Sequence, residues 1–319
     1  MKPRIGLIGY GAIGREVEKR VLQRGWTVPI IARTSGIYDA EGRKIDELSN
    51  WLEHLIRTDI AVLCIPTYDD GTIAYDYIRS LLENGIPVVT CEKGALGNYF
   101  SELKTWMSKI GYSAVVGGGT RLLHWAKERV SLETTEIHLV INGTLNYVFD
   151  GLSQGKTLDE VVEEAKKLGY AEPGIQNPIE VINTEASKDV PLKVSVFINV
   201  CGLGEVRARE TEVRSIGEKD LGKLVSEAVS RRYIVSITRE EEKEDTLGGF
   251  RFKTSNWYVS GGFKNRTHNP LFRRLIPPGV NNAALIYGPA GAYILTGPGA
   301  GPTSTVLGGV MADIGNLLK

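Results

Sequence analysis

Apolar residues follow two rhythms along this chain, and the change falls near residue 117. Before it, short apolar runs alternate with stretches whose apolar residues recur every three and four positions, as in a parallel sheet with crossover helices. The runs Arg4 to Ile8, Val28 to Ala32, Asp59 to Ile65, Pro87 to Cys91 and Tyr112 to Val116 predict strands. Ala12 to Arg24, Lys44 to Arg57, Thr72 to Glu83 and Asn98 to Ile110 predict the helices between them. This spacing predicts a doubly wound α/β domain. After Gly117-Gly118-Gly119 the alternation stops. Thr135 to Ile141, Arg232 to Thr238, Asn256 to Gly261 and Ala283 to Tyr287 predict a mostly antiparallel or mixed sheet, hence a second, α+β domain. Thr157 to Leu168 predicts a helix with a Thr157/Glu160 capping box, one apolar face and a stop at Gly169. Ser304 to Leu318 has a helical pattern and returns to the first domain in this reading, and the charged run Arg239 to Asp245 reads as a solvated loop.

At 319 residues, with 42% hydrophobic and 24% charged positions, the chain is long enough for two cores of ordinary globular composition. Lys plus Arg and Asp plus Glu both number 38, so no net field draws the chain to nucleic acid or an anionic membrane, and any anion site is local. Cys64, Cys91 and Cys201 are odd in number, far apart in sequence and without CxxC spacing. That argues against a disulfide framework or a zinc site and fits a reducing, cytoplasmic setting. No apolar run approaches the roughly 20 residues of a membrane span, and Met1-Lys2-Pro3-Arg4 leads straight into a strand pattern rather than an export signal.

Gly9-Tyr10-Gly11-Ala12-Ile13-Gly14 is a GxGxxG between a predicted strand and a predicted helix. In that context Gly9 permits the tight turn, Gly11 lets the backbone approach a pyrophosphate, and Gly14 lets helix and strand pack closely. Ala12 and Ile13 then open a helix whose N-terminus faces the anion. Where an NAD site has a carboxylate, roughly 20 residues beyond the last glycine, this chain has Arg33-Thr34-Ser35. A cation with two hydroxyls suits a 2′-phosphate and predicts NADP over NAD, with Arg43 or Lys44 as further cations; the alternative is an ordinary exposed arginine at a strand end. Asn142 to Tyr147 follows a strand and is either a turn or a place where main-chain donors meet a polar ligand. Asp189 and Lys193 flank Pro191, which predicts the first turn of a helix to Val200. They form either a proton-transfer pair at the helix start or a surface ion pair.

Taken together, Gly9 to Gly14, Val88 to Lys93, Val116 to Gly119, Asn142 to Tyr147, Leu168 to Glu172, Asp189 to Lys193 and Gly297 to Thr303 stand in the order found in homoserine dehydrogenases. The chain resembles that family over nearly its whole length, in the short form without the C-terminal regulatory ACT domain. The resemblance implies a Rossmann-type dinucleotide domain, 1–134 with 301–319, and an inserted catalytic and dimerisation domain, 135–300. It implies reversible NAD(P)H-dependent reduction of L-aspartate 4-semialdehyde to L-homoserine in a homodimer. Lys93 and Lys193 resemble the family's two catalytic lysines, with Asp189 orienting Lys193. Glu172 resembles the ligand of the substrate ammonium, and Gly143, Thr144 and Tyr170 match the amino-acid pocket. A second acidic ligand matches either Glu180 or Glu185. Glu92 is a candidate partner for Lys93. Thr67 matches a position near the nicotinamide ribose, and Gly299 and Thr303 belong to a segment closing over the nicotinamide. A sodium or potassium ion would take main-chain carbonyls of Ser113, Val116, Gly118 and Thr120. The rival readings are a dehydrogenase of a related amino acid such as aspartate, and a non-catalytic NADP-binding sensor.

Overall fold

The computed structural model describes residues 2–68, 70–170, 177–242, 246–267, 269–275 and 277–319. They form two compact units, Met1–Arg121 with Gly301–Lys319, and Leu122–Ala300. The expected boundary at residue 134 differs because the short helix Leu122–Lys127 packs on the helix Val190–Val200 of the second unit.

The first unit holds seven strands: β1 (Arg4–Ile8), β2 (Thr27–Arg33), β3 (Gly36–Tyr38), β4 (Lys44–Asp46), β5 (Ile60–Leu63), β6 (Val88–Thr90) and β7 (Ile110–Gly111), in the order β4-β3-β2-β1-β5-β6-β7. β1, β2, β5, β6 and β7 run parallel, while β3 and β4 add antiparallel at the β2 edge. The helices Ala12–Gln23 and Thr72–Glu83 lie where the spacing predicts them. Lys44 to Arg57 differs from its expected helix: its first three residues are β4, and only Leu48–Asn50 and Trp51–Leu55 are helical. Three-residue strands are too short for a period of two to show against the three-and-four spacing of Leu48, Leu52 and Leu55. Tyr112 to Val116 is not a strand either. The Ser113 amide donates to Asp313 at 2.7 Å and the Ser113 hydroxyl at 2.6 Å, so a side chain 200 residues away takes the bonds a ladder would have used. The terminal segment is helical over residues 302–317, and its Val306, Val310, Met311 and Ile314 share one core with Ile5, Leu7, Val17 and Val21.

The second unit is built on six strands: β8 (Glu136–Val140), β9 (Arg231–Thr238), β10 (Leu247–Lys253), β11 (Tyr258–Asn265), β12 (Asn281–Gly288) and β13 (Gly291–Pro298), in the order β10-β11-β9-β8-β12-β13 with every pair antiparallel. β10 and β13 escape the sequence pattern for separate reasons. β10 begins at a bulge where Gly248 and Gly249 have φ of +62° and +85°. β13 is an edge strand with Tyr293 and Ile294 exposed. Phe149, Phe197 and Phe263 are fully buried in this unit, each stabilising it by roughly 1.5–3 kcal/mol. The capping box at Thr157 and Glu160 opens the helix Leu158–Lys167, as its spacing predicts.

The helix around Pro191 differs from expectation. Pro178–Thr184, a widened turn over Glu185–Asp189 and Val190–Val200 form one continuous helical segment, with Thr184 and Asp189 both in right-handed helical conformation. Proline has no N–H for the usual bond four residues back, and the π-type turn before it absorbs that missing bond. Lys193 is therefore mid-helix, away from the positive end of a helix dipole.

Candidate active site

In the first unit, β1 lies between β2 and β5, so the chain switches direction of winding beside β1, where open α/β sheets bind their ligands. Gly9 stands at that point: its amide donates to the Ala32 carbonyl at 2.9 Å, its φ is +89°, and an added Cβ would lie 2.6 Å from the Cys64 carbonyl. A Cβ on Gly14 would lie 2.4 Å from the Gly9 carbonyl, whereas one on Gly11 would meet no atom within 4 Å. The helix that Ala12 opens has neither a capping side-chain bond nor an acidic residue in its first turn. A cavity of about 590 Å³ lies there, lined by Gly9 to Ile13, Arg33 to Ser35, Cys64 to Pro66, Tyr68 and Cys91.

Arg33 crosses this cavity wall between two aromatic rings, its guanidinium 4.1 Å from the Tyr10 centroid and 4.4 Å from that of Tyr38. Stacking fixes the plane of the cation while its edge stays available. Its Nε is buried without a hydrogen-bond partner among the described residues. Thr34 and Ser35 are exposed, and the Ser35 hydroxyl lies 2.8 Å from that of Tyr38. Of the further cations suggested by the sequence, Arg43 pairs with Asp39 and Glu41, and Lys44 with Glu47.

Lys93 immediately precedes the short helix Gly94–Asn98 beyond β6. Its neighbour Glu92 is 1% exposed and accepts bonds from the Thr67 hydroxyl at 2.6 Å, the Ala95 amide at 2.9 Å and the Gly94 amide. Glu92 thus ties the segment after β5 to the segment after β6, a role that its sequence position did not reveal.

The second unit gathers a different cluster. Asn142 caps the helix Gly143–Ser153 by accepting the Leu145 amide at 2.7 Å. The other side of the same amide donates to Glu185 at 2.6 Å and to Asp189 at 2.8 Å. Asp189 also pairs with Lys193 at 2.6 Å, and Lys193 donates to the Ile141 carbonyl at 2.9 Å, just past β8. An ammonium has three donors, and the described residues account for two of those on Lys193. Its side chain keeps 13% of its exposure. Asn142 to Tyr147 is thus the start of a helix that organises two carboxylates. Glu185, one of two candidates in the sequence, is the acid that joins Asp189; Glu180 is exposed.

Gly143 admits the Val280 carbonyl to 2.9 Å from where a Cβ would stand, and Thr144 donates its hydroxyl to the Tyr170 carbonyl. Glu172 lies outside the described residues. Gly299 packs on Asn282, whose side chain would be 2.3 Å from an added Cβ. Thr303 is exposed in the first turn of the terminal helix. Ser113, Val116 and Gly118 are buried in a loop with left-handed turns at Gly117 and Gly118, and Thr120 bonds back to the Gly117 carbonyl at 2.7 Å. Among the described residues no three His, Cys, Asp or Glu side chains gather as a metal site, and no helix is long and apolar enough to cross a membrane.

Residues 126–314 match the sequence profile of homoserine dehydrogenase. The chain belongs to the homoserine dehydrogenase family. That membership carries an NAD(P)-linked oxidoreductase activity with it. Homoserine dehydrogenase of Pyrococcus horikoshii is 25% identical over 98% of this chain and 97% of its own length. Homoserine dehydrogenase of Sulfurisphaera tokodaii is 22% identical over 95% and 94%. Among solved structures, a hyperthermophilic archaeal homoserine dehydrogenase in complex with NADPH superposes with a TM-score of 0.69 at 23% identity, covering 100% of this chain and 98% of that one. Homoserine dehydrogenase of Thermoplasma acidophilum gives 0.72 at 20% identity over 100% and 98%, so the fold is shared across the family.

Proposed function

We propose that this chain interconverts L-aspartate 4-semialdehyde and L-homoserine with NADP as the preferred coenzyme, and that Lys193 is its proton-transfer group. The observation that carries the assignment is the arrangement of Lys193: held by Asp189 and a carbonyl, half-buried, and with one N–H donor that no described residue takes up. Hydride arriving at an aldehyde carbon leaves an alkoxide, which an ammonium so held stabilises and protonates. Asp189 and Asn142 keep the ammonium aimed, while Glu185 and Glu172 offer carboxylates for the α-ammonium of the substrate. Gly143, Thr144 and Tyr170 form the wall of the amino-acid pocket. Lys93, on the segment that Glu92 fixes to Thr67, is the second catalytic lysine of this reading.

The first unit suits the coenzyme. The bare helix N-terminus and open space at Gly11 fit a pyrophosphate, and the stacked Arg33 with Thr34 and Ser35 fits a 2′-phosphate. When bound, the coenzyme takes up or supplies the hydride; Gly299 and Thr303 would border its nicotinamide. A monovalent cation on the carbonyls of Ser113, Val116, Gly118 and Thr120 belongs to the same reading. So does a homodimer through the antiparallel sheet, supported by the exposed Tyr287, Tyr293 and Ile294 on β12 and β13, and so does a cytoplasmic location.

The test is an assay of purified protein at alkaline pH with homoserine, against NADP and NAD separately. Homoserine-dependent formation of reduced coenzyme, more efficient with NADP, is the expected result. Coenzyme binding without turnover would favour a sensor, and turnover of aspartate but not homoserine would favour the related dehydrogenase.

A further inference from the structure

Cys64 and Cys91, distant in sequence, meet at the carboxyl edge of the parallel sheet. The ladder between β5 and β6 pairs Ala61 with Val88, Val62 with Val89 and Leu63 with Thr90. One residue on, the same register sets Cys64 opposite Cys91, and the Cys91 amide still donates to the Leu63 carbonyl at 3.0 Å. Neighbouring strands lie about 4.8 Å apart, inside the roughly 4.4–6.8 Å between Cα atoms that a disulfide accepts. The neighbouring Cys91 thiol, together with burial, holds the Cys64 thiol well above the usual thiol range. Both are free thiols and both line the coenzyme cavity. Cys201 belongs to the second unit, where burial pushes its thiol up to about 12.

We propose that Cys64 and Cys91 form a reversible oxidation site inside the coenzyme cavity, where a small-molecule disulfide converts the two thiols into an intramolecular disulfide that slows turnover. Cys91 gives up its proton and its sulfur attacks one sulfur of the small disulfide, expelling one thiol. Cys64 then loses its proton and attacks the Cys91 sulfur, expelling the second thiol. Two electrons pass to the small disulfide, and the two cysteine protons end on the two released thiols.

The consequence for turnover follows from what flanks the pair. Cys91 immediately precedes Glu92 and Lys93, and Cys64 leads to Thr67, which already holds Glu92 at 2.6 Å. A covalent tie between the same two segments displaces Lys93 and the Cys64 carbonyl, against which Gly9 has no room to give. The effect on turnover rests on the coenzyme and Lys93 assignments above; the cross-link itself does not.

The full-length protein is treated with oxidised glutathione and then digested without reduction. The expected result is a peptide pair joined through Cys64 and Cys91, two hydrogens lighter than its reduced parts, formed more slowly under saturating NADP. Turnover should fall on the order of tenfold or more and return with dithiothreitol, while Cys64→Ser and Cys91→Ser should show no further loss on treatment. Mixed disulfides without the 64–91 cross-link would overturn the proposal. So would a cross-link that leaves turnover unchanged, or inactivation that persists in both serine variants. Should the reduced protein show no homoserine-dependent turnover at all, the proposed function falls, and the peptide map with its NADP protection still decides whether the site exists.

Discussion

Two of the lysines that the second unit pairs with carboxylates sit in contrasting surroundings. Lys264 on β11 is 0% exposed; its ammonium donates to the hydroxyls of Ser236 at 2.7 Å and Ser260 at 2.8 Å and pairs with Glu242. All three donors are used. Among the described residues Lys193 uses two of its three, on Asp189 and the Ile141 carbonyl, and keeps a solvent-facing part. A saturated buried ammonium has no capacity for a ligand and serves the fold, because its loss would strand the carboxylate it neutralises. An ammonium held firmly but incompletely is ready for one more acceptor. In the proposed function, this contrast is what distinguishes a lysine that serves the fold from one that serves the reaction.

The largest effect expected from this contrast is at the saturated lysine. Lys264→Met leaves Glu242 buried without its cation and should cost about 3–5 kcal/mol, read from the urea midpoint, with kcat per folded molecule preserved. A loss under about 1 kcal/mol, the range of a surface pair, would break the comparison. Lys193→Ala should do the reverse, lowering kcat on the order of 100-fold or more with little change in melting temperature. Near-normal turnover in that variant excludes Lys193 as the proton-transfer group.

Acid sharpens the structural side. Burial raises the Glu242 carboxyl, but the charge and hydrogen bond of Lys264 outweigh it, and the net position is below the usual glutamate range. Glu136 is held low by the hydrogen bond from His138. Depressed folded values mean that the unfolded chain takes up protons first. This stabilisation is complete above the ordinary glutamate value of about 4.3 and is lost as pH falls through the lower folded values. Unfolding midpoints measured from pH 6 downward should therefore drop on the acid side, and Glu242→Gln should flatten that slope.

On the coenzyme side, Arg33→Ala should reduce the preference for NADP over NAD about tenfold or more, the worth of a charge-assisted bond, measured as the ratio of the two affinities. An unchanged ratio removes the 2′-phosphate assignment. The smallest effect belongs to a purely local device. Thr157→Ala, which loses the capping box, should cost about 1 kcal/mol in thermal unfolding and leave both kinetic constants alone.

Local features were legible in proportion to how local their physics is. The glycine fingerprint, β1 with its helix, and the Thr157 capping box depend on neighbours within a few residues, and the chain spells them out. β4 falls inside a stretch whose spacing predicts a helix, because a strand of three residues is too short to show its own period. The run from Arg239 reads as solvated, yet it carries Glu242, whose buried partner lies 22 residues away. Pro191 reads as a helix start, but tertiary packing carries the helix through it from Pro178 by widening one turn.

By itself, the sequence determined the alternation of elements around the glycine fingerprint, the two-part construction, the fingerprint itself and the inventory of reactive side chains, because hydrophobic period, glycine geometry and motif order are properties of short stretches. Tertiary structure alone decided that Asn142 bridges Glu185 and Asp189, that Glu185 rather than Glu180 joins them, that Arg33 lies between Tyr10 and Tyr38, and that Cys64 faces Cys91. Each of these depends on strand register or on helix packing across tens of residues, and no short stretch encodes a distance of that kind.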